Sequence, residues 1–213
     1  MGSRSLELAM SQYNYDDVLS YVTGCIRCFK PLVAVTQDLN GEYGHGGHML
    51  FAKAVYDAID ISSDNNSYPE SATLYGTWDV LKTYFHLYQD NQISLNLSVP
   101  LANMGGRTAI QVAQDAYEKH ISQHKWDFAI TDSGNATTGS AAYSCSTFGL
   151  YRSLVGSDTS NDMLLLTKNR KGLQKSVLKM NHANRHQLNN LLLQRRIIRI
   201  IILPTAHQKE VHL

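Results

Sequence analysis

Residues 25 to 48 read CIRCFKPLVAVTQDLNGEYGHGGH, in which two cysteines three apart precede two histidines three apart. Four such side chains have the composition of a tetrahedral zinc site. Their placement argues against a shared ion. "LVAVT" (32–36) is a short run rich in β-branched residues and reads as a buried strand. Cys25 and Cys28 fall in the last helical turn before it, and His45 and His48 in the loop beyond its far end. Five strand residues span about 16 Å, whereas zinc requires every ligand within about 2.0–2.3 Å. The cysteines are therefore expected as small buried hydrophobes on one helix face. A redox dithiol is disfavoured as well, because the pair sits near a helix C-terminus, where the dipole raises a thiol pKa.

The histidines have other company. "GEYGHGGH" places His45 and His48 among glycines, with Glu42 and Asp38 close in sequence. Imidazoles beside carboxylates suit general acid–base work, or a metal whose ligands are oriented by carboxylates. A second glycine-rich loop, "DSGNATTGS" (132–140), offers hydroxyls and close backbone approach to an anion. The expected catalytic residues are His45, His48 and Asp132. The expected anion contacts are Ser133, Gly134, Asn135, Thr137 and Thr138. Asp38, Glu42, His45 and His48 are the candidate ligands for a divalent metal, the one cofactor class these residues suggest. The plainer alternative is an ordinary turn capped by Asp132, a solvated His45, and a His48 that simply opens a helix. The P-loop, the dinucleotide-binding glycine pattern and the nucleophile elbow are all absent. His120 and His124 suit a polar helix end better than a metal, and Cys145 has no local sign of a base.

The elements that must position these residues follow from periodicity. Asn14 is an N-cap for a helix striped by Tyr15, Val18, Leu19, Val22 and Ile26, which Pro31 closes. Phe51, Ala54, Val55, Ala58 and Ile59 stripe a helix after the first loop. Leu74, Trp78, Leu81, Phe85 and Tyr88 predict another, capped by Ser71. Ile93, Leu95, Leu97 and Val99 alternate with polar residues and predict a strand with one wet face. A helix containing Ala109, Val112, Ala113, Ala116 and Tyr117 follows, then a strand at 126–131 and a last helix with Tyr143, Phe148 and Tyr151. The order α-β-α-α-β-α-β-α predicts an α/β fold: a small, at least partly parallel sheet with helices packed on it. The wet face of 93–99 keeps an α+β sheet open as the alternative. If 32–36 and 126–131 are parallel neighbours, loops 37–48 and 132–140 open onto one crevice beside two helix N-termini, where free N–H groups favour phosphate or carboxylate.

The 213 residues are 43% hydrophobic and 9% aromatic, enough for one sizeable core. The formal charge of +1 conceals a split. Residues 1–162 carry 9 basic against 17 acidic side chains, and 163–213 carry 10 basic against Glu210 alone. The reading is a cloning linker at 1–9, an acidic globular domain at 10–157, and a basic tail at 158–213 that is aromatic-free, disordered or non-native. No apolar leader is evident and the three cysteines are an odd number, so a reducing, cytoplasmic setting is expected.

Two functions fit. The preferred one is a non-catalytic binding or assembly module. Its partners would be copies of itself, or nucleic acid or an acidic membrane surface engaged through residues 168–199. The alternative is a small hydrolase or transferase acting on an anionic substrate through the loops at 37–48 and 132–140.

Overall fold

The computed structural model describes residues 5–42, 44–121, 128–138, 141–158 and 199–201. Its centre is a mixed sheet built on β1 (Val33–Thr36) and β2 (Lys82–His86), which pair in parallel. β3 (Gln92–Ser94) and β9 (Thr147–Ser153) extend the sheet antiparallel on the β2 side. The short β10 (Arg199–Ile201) pairs in parallel on the β1 side, giving the order β10-β1-β2-β9-β3. Helices α2 (Tyr15–Phe29) and α3 (Gly46–Ile61) pack on this sheet, with α1 (Leu6–Gln12) against α3 and α4 (Pro69–Tyr75) against α2. The expected α/β class is therefore what the chain adopts. Two smaller units complete it. One is the ribbon β4 (Pro100–Leu101) and β5 (Arg107–Thr108), leading into α5 (Ala109–Glu118). The other is an antiparallel sheet of β6 (Phe128–Ile130), β7 (Asn135–Thr138) and β8 (Ala141–Ser144).

The local chemistry explains the helices. Asn14 caps α2 by accepting from the Asp16 N–H at 3.1 Å, and Asp16 and Asp17 occupy its first turn. Thr108 and Gln111 form a reciprocal capping box on α5. Ser5 caps α1 and Ala9 is fully buried, so the segment read as a linker contributes structure from Ser5 onward. The core joins Val22 and Ile26 of α2, Ala58 and Ile59 of α3, Val33 of β1 and Tyr84 of β2 around the buried Trp78.

One polar group spans this core. Arg27, fully buried, donates to the carbonyls of Ser62 (3.1 Å), Ile61 (3.3 Å), Asp64 (2.6 Å) and Tyr68 (2.9 Å), and to the Ser71 hydroxyl (2.7 Å). The guanidinium has five N–H groups in a planar fork, and all reach acceptors. Several are carbonyls at or just past the end of α3, where the dipole favours a cation.

The structure differs from the sequence expectations in four elements. The helix predicted from Leu74 to Tyr88 stops at Tyr75, since Gly76 leaves helical backbone (φ 72°, ψ 172°). Lys82–His86 is a strand buried on both faces, and such a strand shows no alternation that would separate it from a helix. The strand predicted at 93–99 is cut to Gln92–Ser94, because Asn96 turns the chain by accepting from the Ser98 N–H. The strand predicted at 126–131 is described from Phe128 and belongs to the separate antiparallel sheet, so it is no parallel neighbour of β1. Tyr143, Phe148 and Tyr151 lie on strands rather than a helix, because β9 is pinned between β2 and β3. Cys28 is exposed and Cys25 half-buried, unlike the expected buried pair. The tail at 158–213 lies outside the described residues, apart from Asp158 and 199–201. No helix of the described residues is long and apolar enough to cross a membrane.

Replacing Arg27 by Lys keeps the charge but loses the fork, leaving buried carbonyls unpaired. It is expected to lower stability by about 2–4 kcal/mol in urea unfolding; an unchanged midpoint would count against this role.

Candidate functional site

Parallel pairing matches Thr36 with Phe85, so β1 and β2 end side by side and the loop after Thr36 starts beside His86. This is the carboxyl edge of parallel strands, where ligands bind in open α/β sheets. The loop is tightly wound. Gly41 N–H donates to Asp38 O, His45 N–H donates to Gly41 O (both 2.9 Å), and His48 and Met49 N–H groups donate to His45 O. Gly41 (φ 78°) has no room for a side chain: a Cβ there would lie 2.6 Å from both His45 O and Met49 Cγ. Glu42 also adopts left-handed backbone (φ 58°), which costs a non-glycine residue about 1–2 kcal/mol. Its side chain offsets that cost. Oε1 accepts from the Asp38 N–H (3.1 Å), and Oε2 lies 2.7 Å from Nδ1 of His86.

His86 is nearly buried and its Nε2 lies 2.5 Å from the Ser144 carbonyl oxygen. A carbonyl only accepts, and so does an ionised carboxylate, so both ring nitrogens donate and the pair is imidazolium with carboxylate. The pKa directions agree. Burial alone would raise the Glu42 carboxyl, but the hydrogen bond and charge of His86, with the Asp38 N–H, bring it below its ordinary value. Burial alone would lower His86, but Glu42 and the Ser144 carbonyl raise it.

His45 and His48 stand in the opposite state. Their rings meet at a tilt of 44°, 4.7 Å between centroids, where α3 begins. Burial lowers His45. His48 falls to about 4 through burial and the His45 ring, with Glu42 only partly opposing. Both are neutral at pH 7, beside a charged pair. Cys145 is close enough to feel Glu42, and burial followed by that carboxylate raises its thiol, which stays protonated.

The structure therefore brings Asp38, Glu42, His45 and His48 onto one loop. Asp38 is engaged by Asn40, and Glu42 by His86 and Asp38. Among the described residues no three His, Cys, Asp or Glu side chains, Cys25 and Cys28 included, converge as metal ligands. The second loop departs further from expectation. Thr131 and Asn135 bond to each other and close a hairpin from β6 into β7, so no helix N-terminus follows to offer free N–H groups. Gly134 N–H is used within that turn, donating to Thr131 O at 2.9 Å. Asp132 accepts from Gln114, and Ser133 bonds Thr131 and Asn135. Thr137 donates to the Ala129 carbonyl at 3.4 Å, and Thr138 lies on β7. One contact does link this loop toward the first: Gly134 O accepts from Cys145 N–H, next to the Ser144 that binds His86. His86 is not found from sequence because it falls within the segment read as a helix, between the stripe residues Phe85 and Tyr88. Its position at the end of a strand parallel to β1 is the signal that would have found it.

No family model matches the chain. It is similar over part of its length to three curated enzymes. A 1D-myo-inositol 2-acetamido-2-deoxy-alpha-D-glucopyranoside deacetylase of Geodermatophilus obscurus is 33% identical over 70 residues, 33% of this chain and 23% of that protein. A mycothiol S-conjugate amidase of Streptomyces coelicolor is 40% identical over 62 residues, 29% and 20% of the two chains. A second deacetylase of the first type, from Catenulispora acidiphila, is 31% identical over 70 residues, 33% and 21%. The chain thus spans between a fifth and a quarter of the length of these relatives. These likenesses overturn the preferred expectation of a non-catalytic binding module, since the relatives are named as hydrolytic enzymes, and they favour the hydrolase alternative. Residues 168–199, expected to engage nucleic acid or membrane, lie outside the described residues except Arg199.

Opposite protonation of like residues gives a direct check. In histidine NMR titrations His48 is expected to change near pH 4 and His86 above the ordinary 6.5. The stability signs follow. His48 takes up its proton in the unfolded chain near 6.5 and in the folded one near 4, so its contribution falls as pH drops through that interval. The contribution of His86 is full below 6.5 and is lost as pH rises through its raised folded pKa. That of Glu42 is present above its ordinary 4.5 and is lost as pH falls through its depressed value. Coincident titration of His48 and His86 would refute the arrangement.

Proposed function

We propose that the chain carries the histidine-bearing part of an amide hydrolase that removes an acyl group from an amino sugar. The observation that carries the reading is the close pair of rings His45 and His48, which burial holds toward the neutral form, at the carboxyl edge of two parallel strands. The names of the relatives support it. A deacetylase of an acetamido sugar and an amidase both break an amide C–N bond with water.

The residues divide the work by protonation. A neutral imidazole can take a proton from an attacking water and return it to the departing amine. His45, lowered by burial alone, is assigned that role. His48, with its pKa near 4, is too weak a base at neutral pH, but its neutral ring can donate an N–H toward the oxygen of the tetrahedral intermediate. Water oxygen bonds to the carbonyl carbon, the C–N bond breaks, and the proton held on His45 leaves on the amine. The products are a carboxylate and a free amino sugar. A divalent metal would need at least three protein donors in a catalytic centre. The described residues converge no such set, so no step is assigned to one.

The test is release of acetate from 1D-myo-inositol 2-acetamido-2-deoxy-alpha-D-glucopyranoside by the full chain. His45→Ala and His48→Ala are each expected to lose about 100-fold or more in kcat. Equal turnover in wild type and both variants, or none in wild type, would remove this reading.

A further inference from the structure

The acid–base pair proposed above is carried by a loop whose backbone is strained and whose hydrogen bonds are short-range. Glu42 ties that loop to β2 through His86. Three segments distant in sequence meet at this ring. β2 supplies His86, the loop after β1 supplies the carboxylate, and the end of β8 supplies the Ser144 carbonyl. The ring is fixed on its faces too, with Phe148 at 5.1 Å and Tyr143 at 6.0 Å between centroids. Ser144 is itself held, its hydroxyl meeting Ser146 N–H at 3.1 Å and Thr147 Oγ1 at 2.9 Å.

We propose that His86 is a positioning residue for the hydrolytic site: clamped between Glu42 and the Ser144 carbonyl, it fixes the loop that presents His45 and His48. The geometry transmits the constraint in short steps. Glu42 follows Gly41, whose carbonyl receives the His45 N–H, and the His45 carbonyl receives the His48 and Met49 N–H groups in the first turn of α3. Glu42, both catalytic candidates and the start of α3 are therefore one hydrogen-bonded unit. Misplacement of reacting groups by about 1 Å can cost on the order of 100-fold in rate. Loss of the clamp acts on turnover.

This inference rests on the amide-hydrolase reading for its kinetic arm, and the experiment separates the two. The variants are His86→Leu, Glu42→Ala, the double variant and the conservative Glu42→Gln. In acetate release from the same acetamido sugar, His86→Leu and Glu42→Ala are each expected to lower kcat by about 10–100-fold with KM within about threefold. The double variant is expected to match the singles, because both remove one interaction. Glu42→Gln keeps the acceptor for Asp38 N–H and a hydrogen bond to His86, and is expected to recover most of kcat. In parallel, imidazole ¹⁵N–¹H spectra should show the His45 and His48 signals displaced in His86→Leu and Glu42→Ala and restored in Glu42→Gln. Additive losses, failure of Glu42→Gln to rescue, or unmoved His45 and His48 signals would overturn the proposal. Should His86→Leu not fold, Glu42→Ala against Glu42→Gln decides it alone. A wild type that releases no acetate would remove the amide-hydrolase reading, while the spectra still decide the clamp.

Discussion

The parallel pairing of β1 with β2 is the constraint on which this structure depends. Parallel strands must leave the sheet at the same edge, and the chain needs a long crossover to return for the second one. Here α3 and α4 make that crossover. Two consequences follow together. The loop after Thr36 and the end of β2 at His86 become neighbours, although 44 residues separate Glu42 from His86. The crossover helices must also be held down on the sheet. Arg27 does this from inside the core by gathering the carbonyls that end α3 and precede α4. Its cation stays buried because every donor has a partner, and unmet donors would cost more than the packing returns. α3 is thereby fixed at one end by Arg27 and carries His45 and His48 at the other.

Three histidines at one sheet edge occupy two protonation states for a plain physical reason. Burial removes water from all of them and so disfavours the cation. His86 meets a carboxylate and a carbonyl that both demand a proton, and for it the demand outweighs burial. His48 feels the same carboxylate, but burial and the neighbouring His45 ring prevail. One glutamate thus divides the cluster into a charged clamp and a neutral pair. Neutral rings are the form useful for moving protons at pH 7.

The functional correction has an instructive origin. The charge split between the body and residues 163–213 is a property of composition, and composition speaks to solubility and non-specific attraction rather than to chemistry. It pointed to a binding module. The likeness to a deacetylase and an amidase, together with the histidines at the carboxyl edge of β1 and β2, points elsewhere. Glycine-rich loops misled in a second way. Both were read as phosphate-type cradles before helices, but only the first precedes one. The second turns a hairpin, and glycine, serine, threonine and asparagine serve a hairpin equally well.

What the sequence by itself determined is local. The capped helix α2, the helical stripes of α3 and α5, the short strand β1 and the crowding of Asp38, Glu42, His45 and His48 in one loop were all legible. Each depends on residues within a few positions of one another. The α/β class was legible too, from the alternation of these elements. Tertiary structure alone decided the rest. Lys82–His86 is a strand because it is buried on both faces between β1 and β9, which erases the periodicity that separates strand from helix. Ala141–Ser144 is strand because β7 is available beside it, and Thr147–Ser153 because β2 and β3 are available on either side. The partner of Glu42 could not be read from the chain, because an ion pair between residues 44 apart exists only once two parallel strands set them at the same edge.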